Sequence, residues 1–508
     1  MRTAGILDFG AGASRWTGKR AKGCLGQGSS IVRQCCLAAG LEVEDLHVAW
    51  RKVDVLMVGL FWWEHLYDLI GLLAMHGIEP LRSRRRSAPL VFVGGQLPSY
   101  NPGPFREIAD LACIGDGEEA GPAALRILLA GGSPHDCLGI PGIYVSDADN
   151  CAEWQQVEDI SSTVRWPFHN RVSEAGTSGV RKMEIFERRL ELARGCRRKC
   201  SFCGVGWTKK YRELPTMEAC KAIRGTPGAV KGFAPDPAAH SGWPQIQAAY
   251  RAAGKFNQAR DISTRVILQH GFGTSHVYTT GIDGLSERLR AALHKPLTED
   301  ELASVFEIAS AHMGSLGVYQ ILDLPGESDE DYVGWFSTLA RIRLHERPPS
   351  KRYHGPPGGF FVFASLNAFS PTPHTPLQWE GVHVEVDLSA RYNRALEALG
   401  PMEGRLLRHK ILGRPHGPAS RLLESAVLRG EPDLTPFYLS VAAQRPKLTT
   451  TAQIFELARR LGLENQLRST TEAKPMDRPL PWECRVRPLF GRDTLLAARV
   501  AYHRRLTA

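Results

Sequence analysis

Short apolar runs alternate with segments of helical periodicity through the first 130 residues, and this alternation restricts the fold more than any other feature. Residues 53–60 (VDVLMVGL) and 88–95 (APLVFVGG) are apolar runs of strand length, and residues 66–76 between them have helical spacing. A third run at 111–114 precedes a Gly-Asp-Gly turn and another helical segment. Strands that alternate with helices predict a parallel, doubly wound sheet. Ligands of such sheets bind at the carboxyl ends of the strands, here the loops GGQLPSYNPGP and GDGEE.

The alternation resumes after a loop-rich stretch at about residues 137–177. Further strands are predicted at residues 190–193, 230–233, 277–281, 318–322 and 361–366. They predict a second α/β unit with the form of a partial (β/α)6 barrel. From residue 388 the periodicity is mainly helical. We therefore predict a Rossmann-like domain at 1–165, a barrel at 178–385 and a helical C-terminal domain at 386–508.

The composition is that of a globular, intracellular protein. Of the 508 residues 43% are hydrophobic, and the longest apolar runs are too short to cross a bilayer. The first residues lack the pattern of a secretory signal. The odd number of cysteines, 11, argues against a disulfide framework. We expect a soluble protein of the cytoplasm or another reducing intracellular compartment, with no membrane partner.

The chain is basic, with a formal net charge of +10 and a pI of about 9.1. Basic runs include RSRRRS from Arg82 and RPPSKRYHGPPGG at residues 347–359. A basic balance favours polyanions, so nucleic acid is a predicted partner. The alternative is a basic, solvated surface without such a partner.

Three cysteines lie within eight residues, Cys196, Cys200 and Cys203, in the spacing C-x3-C-x2-C. Thiolates suit zinc or iron–sulfur clusters. A structural zinc site needs a further cysteine or histidine pair, and Cys220 and His240 are single residues at no recognisable spacing. A 4Fe–4S cluster takes one ligand per iron, so three cysteines leave one iron open to a small molecule. Phe202 would form an apolar wall beside such a cluster.

The motif C-x3-C-x-aromatic-C, placed after the first strand of a partial barrel, resembles the radical S-adenosylmethionine (SAM) superfamily. The resemblance implies that Cys196, Cys200 and Cys203 hold a 4Fe–4S cluster whose fourth iron is chelated by SAM. An electron donor would reduce the cluster, and SAM would be cleaved to a 5′-deoxyadenosyl radical that abstracts hydrogen from carbon. Five later segments extend the resemblance over residues 188–431: GFAPDP, TTGIDGLSERLRAALHKPLTEDEL, LDLPGESDEDY, AFSPTPHTPLQWEG and LLESAVLRGE.

Polar residues in these segments, together with Phe202, are predicted to contact the cofactors. Asp283 at a strand end can accept hydrogen bonds from ribose hydroxyls, or it can cap the following helix. Ser286 and Arg288 lie within reach of the same strand end, or they belong to an ordinary helix surface. Asp236 is predicted at the methionine end of SAM, with a plain turn as the alternative.

Residues 91–119 resemble the N-terminal domain of cobalamin-binding radical SAM enzymes, a Rossmann-like sheet that lays the corrinoid beside the barrel mouth. The cobalt-ligating signature D-x-H-x-x-G is met only in part, by Asp45, His47 and Trp50, and it precedes its strand. We interpret His47 as structural. Two interpretations stay open: cobalamin binds without a protein histidine, or the domain has lost cobalamin and shapes the substrate site.

Three functions are consistent with these features. The first is a radical SAM enzyme acting on a carbon of a nucleic-acid base or its amino-acid adduct. It would resemble virus-encoded enzymes of DNA base hypermodification, with a reaction of the isomerisation type. The second is a cobalamin-dependent radical SAM C-methyltransferase. The third is a non-enzymatic iron–sulfur protein that binds nucleic acid or senses redox state.

Overall fold

The computed structural model describes most of the chain. The described residues are 2–9, 27–46, 51–165, 168–173, 184–255, 263–271, 278–312, 315–342, 360–413, 415, 417–444 and 448–507. Two features of the sequence lie outside them, His47 and the basic run at residues 347–359. Within these ranges, no helix combines the length and the hydropathy needed to cross a membrane.

The N-terminal region is a six-stranded sheet with helices on both faces. In chain order its elements are β1 (Ala4–Asp8), α1 (Gln27–Ala38), β2 (Val43–Asp45), β3 (Val55–Gly59), α2 (Glu64–Met75), β4 (Leu90–Gly94), α3 (Gln96–Tyr100), β5 (Leu111–Cys113), α4 (Gly117–Leu129) and β6 (Ile143–Val145). The strand order is β2–β1–β3–β4–β5–β6, parallel except for β5–β6. All five residues of β3 are buried, as expected for a strand covered on both faces. The predicted Rossmann-like unit is confirmed.

The middle region contains the parallel strands of the partial barrel. Its elements, after a short linker, are β7 (Ala152–Glu153), α5 (Ser162–Arg165), β8 (Phe168–Ser173), β9 (Glu184–Glu191), β10 (Ala193–Arg194), α6 (Gly204–Thr208), β11 (Arg212–Glu213), α7 (Thr216–Gly225), β12 (Ala229–Phe233), α8 (Trp243–Ala252), α9 (Thr264–His270), β13 (Tyr278–Asp283), α10 (Glu287–Ala292), α11 (Glu299–His312), β14 (Ser315–Leu322), α12 (Asp329–Arg341) and β15 (Phe361–Ala368). Strand β9 pairs in parallel with β12, and β13, β14 and β15 form a second parallel set. These strands confirm the α/β fold class.

The C-terminal region is mainly helical, as predicted. It contains α13 (Leu388–Glu397), α14 (Pro401–Lys410), β16 (Ile411–Leu412), α15 (Pro418–Arg429), α16 (Thr435–Gln444), α17 (Thr451–Arg460), α18 (Glu464–Thr471), α19 (Pro481–Arg485), β17 (Val486–Arg487) and α20 (Arg492–Thr507). Its helices divide between two cores: α15 to α18 pack with the N-terminal sheet, whereas α13, α14 and α20 pack on the barrel. The domain limits at 165, 178 and 385 stay a prediction.

A buried charge network joins the N-terminal sheet to the barrel. Asp116, in the loop after β5, accepts from Arg212 at 2.7 Å and pairs with Arg194 at 3.2 Å. Arg194 also binds Glu118 and Glu191, each at 2.8 Å. The loop GDGEE therefore fixes the sheet against the start of the barrel.

Candidate active site

The three cysteines lie on a tightly wrapped loop that follows β10. Cys200 is buried, and Cys196 and Cys203 are half-buried. The loop is held by its own backbone and by Trp207, whose indole N–H donates to the Cys200 carbonyl at 2.9 Å. Gly206 is required here, because a Cβ at this position would overlap the carbonyl oxygen of Arg198. The spacing of the motif thus gives one compact loop with its thiols on one side.

All three thiols line a cavity of about 520 Å³ at the carboxyl ends of the barrel strands. The same cavity is lined by Phe202, by Asp236 after β12 and by Asp283 at the end of β13. Residues at the ends of β14 and β15 close the opposite wall. The structure therefore brings together the predicted cluster ligands and three of the five predicted cofactor contacts.

Asp236 is held by a cation from the cysteine loop. Arg198 donates from Nε to one carboxylate oxygen of Asp236 at 2.9 Å. The other carboxylate oxygen, Oδ1, is buried without a hydrogen-bond partner among the described residues. An unsatisfied buried acceptor of this kind fits a ligand that carries a donor, such as an amino group.

Asp283 lies in the left-handed backbone region, with φ of 62°. Its carboxylate forms an ion pair with Lys295, whose ammonium also donates to the Gly281 carbonyl at 3.0 Å. The N-cap of α10 is Ser286, so Asp283 does not cap that helix. A carboxylate fixed at a strand end is suited to accept hydrogen bonds from hydroxyl groups of a ligand.

Ser286 and Arg288 are placed elsewhere. The Ser286 hydroxyl and the Arg288 guanidinium both bind the Asp331 carboxylate at the start of α12, and Arg288 Nε donates to it at 3.0 Å. Neither residue lines the cavity. The two side chains connect the start of α10 to α12. The structure therefore does not bring Ser286 and Arg288 together with the other three residues predicted to contact the cofactors.

The neighbouring basic side chains of the loop are occupied within the protein. Arg197 pairs with Glu213 at 3.1 Å. Lys199 donates to the Gly206 carbonyl at 2.7 Å, and its ammonium lies 3.6 Å from the centre of the Phe490 ring. Of the three, only Arg198 lines the cavity.

The donor set fits an iron–sulfur cluster better than a single ion. No three His, Cys, Asp or Glu side chains in the described part of the chain converge as a single metal ion would require. In a 4Fe–4S cluster each thiolate binds a different iron, so the sulfurs line a common wall instead. Burial raises the pKa of Cys200 to about 12 and also raises the pKa values of Cys196 and Cys203. Cluster binding must therefore displace their protons.

Lys295 is a residue of this cavity that no motif of the sequence indicated. Burial lowers its pKa, but Asp283 and Cys200 outweigh this effect and leave the pKa above its usual value. Lys295 occurs inside the segment TTGIDGLSERLRAALHKPLTEDEL, twelve residues after Asp283. Only the turn after α10 brings the two together.

A second cavity, of about 280 Å³, lies at the carboxyl ends of the N-terminal strands. We call it the N-terminal cavity. Its walls are mainly apolar, including Met57 and Phe92, with Gln96 and Glu118 among the polar residues. Its rim on the barrel side includes Lys209. The position agrees with the ligand loops predicted from the sequence.

The basic run from Arg82 is only partly free for a partner. Arg82 pairs with Asp147 at 2.9 Å, and Arg85 donates to the Ile108 carbonyl. Arg84 and Arg86 are exposed. Half of the arginines that suggested a polyanion site therefore stabilise the fold.

Part of the N-terminal region matches a family of known proteins. Residues 41–135 match the family described as radical SAM proteins, N-terminal. This match agrees with the resemblance inferred from the cysteine motif, which lies outside the matched residues. No curated protein matches the sequence of this chain.

Two solved structures are similar to this chain at low identity. The cobalamin-dependent SAM radical enzyme OxsB, with aqua-cobalamin and SAM bound, is 11% identical, with a TM-score of 0.49 over 100% of this chain and 80% of OxsB. The radical SAM methyltransferase TsrM from Kitasatospora setae, with cobalamin and a [4Fe-4S] cluster bound, is 12% identical. Its TM-score is 0.46 over 92% of this chain and 99% of TsrM.

Proposed function

We propose that this chain is a radical SAM enzyme that binds a 4Fe–4S cluster through Cys196, Cys200 and Cys203. The observation that supports this proposal is that the three thiols line one cavity together with the fixed carboxylates of Asp236 and Asp283. When bound, the cluster and SAM supply a 5′-deoxyadenosyl radical that takes a hydrogen atom from a carbon of the substrate.

The remaining residues of the cavity bind and orient SAM in this proposal. Asp283, fixed by Lys295, accepts hydrogen bonds from the ribose hydroxyls. The free oxygen of Asp236 accepts from the amino group at the methionine end. Phe202 packs against the barrel core and shields the cluster side of the cavity from water.

Anaerobic reconstitution with iron and sulfide tests this proposal. We expect the wild type to bind four irons per chain and to release 5′-deoxyadenosine when SAM and dithionite are added. Cys200→Ala should lose the cluster, whereas Cys220→Ala, which removes a buried thiol outside the cavity, should keep it. A cluster in Cys200→Ala would contradict the ligand set. An intact wild-type cluster without any 5′-deoxyadenosine would favour a non-enzymatic iron–sulfur protein.

A cobalamin-dependent C-methyltransferase is the second candidate, and the N-terminal cavity favours it. The cavity is apolar, lies at the strand ends of the Rossmann-like sheet, and has a rim that reaches the barrel at Arg194, Lys209 and Phe233. These features fit the nucleotide tail of a corrinoid, whose ring would then lie between the two units. A bound corrinoid supplies a transferable methyl group.

Corrinoid retention tests this second candidate. We expect hydroxocobalamin to stay with the wild-type protein through gel filtration and to be followed by its visible absorbance. Gly28→Phe should abolish retention, because a large side chain at this position of the cavity wall enters open space. Gly225→Phe is the matched control, since Gly225 is exposed on α7 outside the cavity. Equal retention by both variants would rule out this site.

A nucleic-acid base, or its amino-acid adduct, is the substrate class favoured by the net charge of +10. Isomerisation of such an adduct is the corresponding reaction. The exposed Arg84 and Arg86 are the described residues of the basic run that can reach a polyanion. Reversal of both charges to glutamate should weaken binding of fluorescent DNA and RNA in anisotropy titrations. The same reversal at Lys221 and Arg224 on α7 controls for net charge, and equal losses in both pairs would speak against a site.

A further inference from the structure

An aromatic side chain of the C-terminal region packs against the cysteine loop of the barrel. Phe490 lies between β17 and α20 and is half-buried. Its ring forms a T-shaped pair with the ring of Trp207, with the two centres 5.6 Å apart. The ammonium of Lys199 lies 3.6 Å from the centre of the same Phe490 ring. Phe490 therefore contacts the loop on both sides of Cys200, since Lys199 precedes that cysteine and Trp207 follows it.

Both partners of Phe490 are hydrogen-bonded to the backbone of the loop. Trp207 is 6% exposed and donates its indole N–H to the Cys200 carbonyl at 2.9 Å. Lys199 donates to the Gly206 carbonyl at 2.7 Å, and its ammonium lies 5.0 Å from the centre of the Trp207 ring. Each bond joins the middle of the loop to its C-terminal end. A displacement of either side chain would therefore open the loop at Cys200.

A small hydrophobic core of the C-terminal region fixes the surroundings of Phe490. The Phe490 ring packs on this core, whose buried members are Trp207, Trp379, Leu480, Trp482 and Leu495. The indole N–H of Trp482 donates to the side-chain oxygen of Gln378 at 2.7 Å. Arg492, at the start of α20, pairs with Glu483 at 2.6 Å. The segment that carries Phe490 is thus held by packing and by polar contacts on either side of it.

The helix that follows Phe490 is anchored on the barrel. In α20, Arg499 pairs with Glu380 at 2.7 Å. The hydroxyl of Tyr502 donates to the Pro325 carbonyl at 2.8 Å. Pro325 lies in the turn after β14, a strand whose end forms a wall of the cysteine-lined cavity. Helix α20 therefore joins two segments that border this cavity, the turn after β14 and the cysteine loop.

Resting on the proposed function, we propose that Phe490 is a positioning residue of the cluster site, which holds Cys200 in place through Lys199 and Trp207. T-shaped ring pairs and ammonium–ring contacts are both attractive, because the face of an aromatic ring is electronegative. Residues behind the ligands of a metal site set the orientation of these ligands, and their loss weakens the site. The C-terminal region thus stabilises a cluster that the barrel binds, although Phe490 does not line the cavity.

The rate of iron release from the reconstituted full-length protein tests this role. The protein is mixed anaerobically with dithionite and excess ferrozine, which traps iron whenever the loop opens. Phe490→Leu should release iron about tenfold faster than the wild type. A factor of ten corresponds to about 1.4 kcal/mol, which is the order of magnitude of the ring contacts that leucine loses. Phe490→Tyr keeps the ring and should retain the wild-type rate.

Two further variants separate the local effect from a general loss of stability. Phe455→Leu is the matched control, because Phe455 also has a cation over its ring, Arg468 at 4.4 Å, but packs in the core of the N-terminal sheet. It should release iron at the wild-type rate, and urea unfolding of both leucine variants measures their overall stability. Trp207→Phe keeps an apolar ring but removes the N–H that binds the Cys200 carbonyl, so it should release iron faster.

A wild-type rate in Phe490→Leu with full iron content would overturn the proposal, and so would an equal acceleration in Phe455→Leu. A rate in Phe490→Tyr as fast as that of Phe490→Leu would overturn the role of the ring. Should Phe490→Leu fail to fold, a wild-type rate in Trp207→Phe overturns the positioning of Cys200. Failure of the wild type to assemble any cluster is a different result and contradicts the proposed function itself.

Discussion

Lys295 binds the Asp283 carboxylate and the Gly281 carbonyl with the same ammonium group, and thereby fixes the end of β13 inside the cysteine-lined cavity. The carboxylate is buried, so it has lost most of its hydration. Its charge is balanced by Lys295, and the carboxylate has further lone pairs with which it can accept from a ligand. The ion pair therefore holds the carboxylate oxygens of Asp283 in a fixed position, from which they can accept hydrogen bonds.

Asp283→Asn should weaken SAM binding. A hydrogen bond to a charged acceptor contributes about 1.5–3 kcal/mol, so we expect the Kd for SAM to rise by about ten- to hundredfold. Asparagine tolerates the left-handed backbone at this position, so the fold should be kept. Equilibrium dialysis of SAM with the reconstituted protein measures the change. Asp331→Asn, the same substitution outside the cavity, should retain the wild-type Kd, and an unchanged Kd in Asp283→Asn would remove Asp283 from the site.

Arg288→Gln distinguishes a SAM contact of Arg288 from a purely structural role of this residue. The sequence predicts a SAM contact for Arg288, whereas in the structure Arg288 forms an ion pair with Asp331. We expect an unchanged Kd for SAM and a loss of stability of about 1 kcal/mol at most, because the guanidinium is 38% exposed. Dialysis and thermal unfolding of the same sample measure both quantities. A rise in the Kd for SAM as large as that of Asp283→Asn would show that Arg288 contacts SAM, as the sequence predicts.

The parts of the fold that the sequence predicts are those set by local patterns. Apolar runs locate β3, β4 and β12, and the spacing of Cys196, Cys200 and Cys203 by itself predicts one loop with three thiols on the same side. Strand β6 falls in a stretch rich in turn residues, and its pairing with β5 needs tertiary contact. Long-range contacts likewise cannot be predicted from a single sequence. An example is His374, which binds the carbonyl of Tyr100, a residue 274 positions earlier in the chain. The packing of α15 on the N-terminal sheet is of the same kind.

Asp116→Asn should destabilise the junction between the sheet and the barrel. Burial favours the neutral acid, but Arg194, Lys209 and Arg212 outweigh it and lower the pKa of Asp116. The asparagine would leave two buried guanidinium groups, Arg194 and Arg212, short of charge compensation. We expect a loss of about 3–5 kcal/mol, as for other broken buried pairs.

Urea unfolding followed by circular dichroism measures this loss. Glu153→Gln is the matched control, since it removes one partner of an exposed ion pair with Arg487. The control should change stability by less than about 1 kcal/mol. Equal midpoints for the two variants would show that the Asp116 network contributes no more than a surface pair.

Glu327 should make the stability of the protein depend on pH. Burial raises its pKa to about 7, against the opposing effects of Tyr332, the Asp323 backbone and Arg391. Because the folded pKa lies above the unfolded value of 4.5, the folded protein binds the proton more tightly between these two values. The contribution of Glu327 is thus fully present below pH 4.5 and is lost as the pH rises through 7. At about 1.4 kcal/mol per pH unit the loss amounts to about 3 kcal/mol.

Glu327→Gln removes this titration and keeps the side-chain oxygen that accepts from Asp323 N at 2.7 Å. The melting temperature of the wild type should fall more between pH 5 and pH 8 than that of the variant. Calorimetry at several pH values measures the two slopes. Glu218→Gln, at an exposed position of α7, should have the wild-type slope. A Glu327→Gln slope as steep as that of the wild type would mean that Glu327 is ionised at little cost in the fold, and that other groups set the pH dependence.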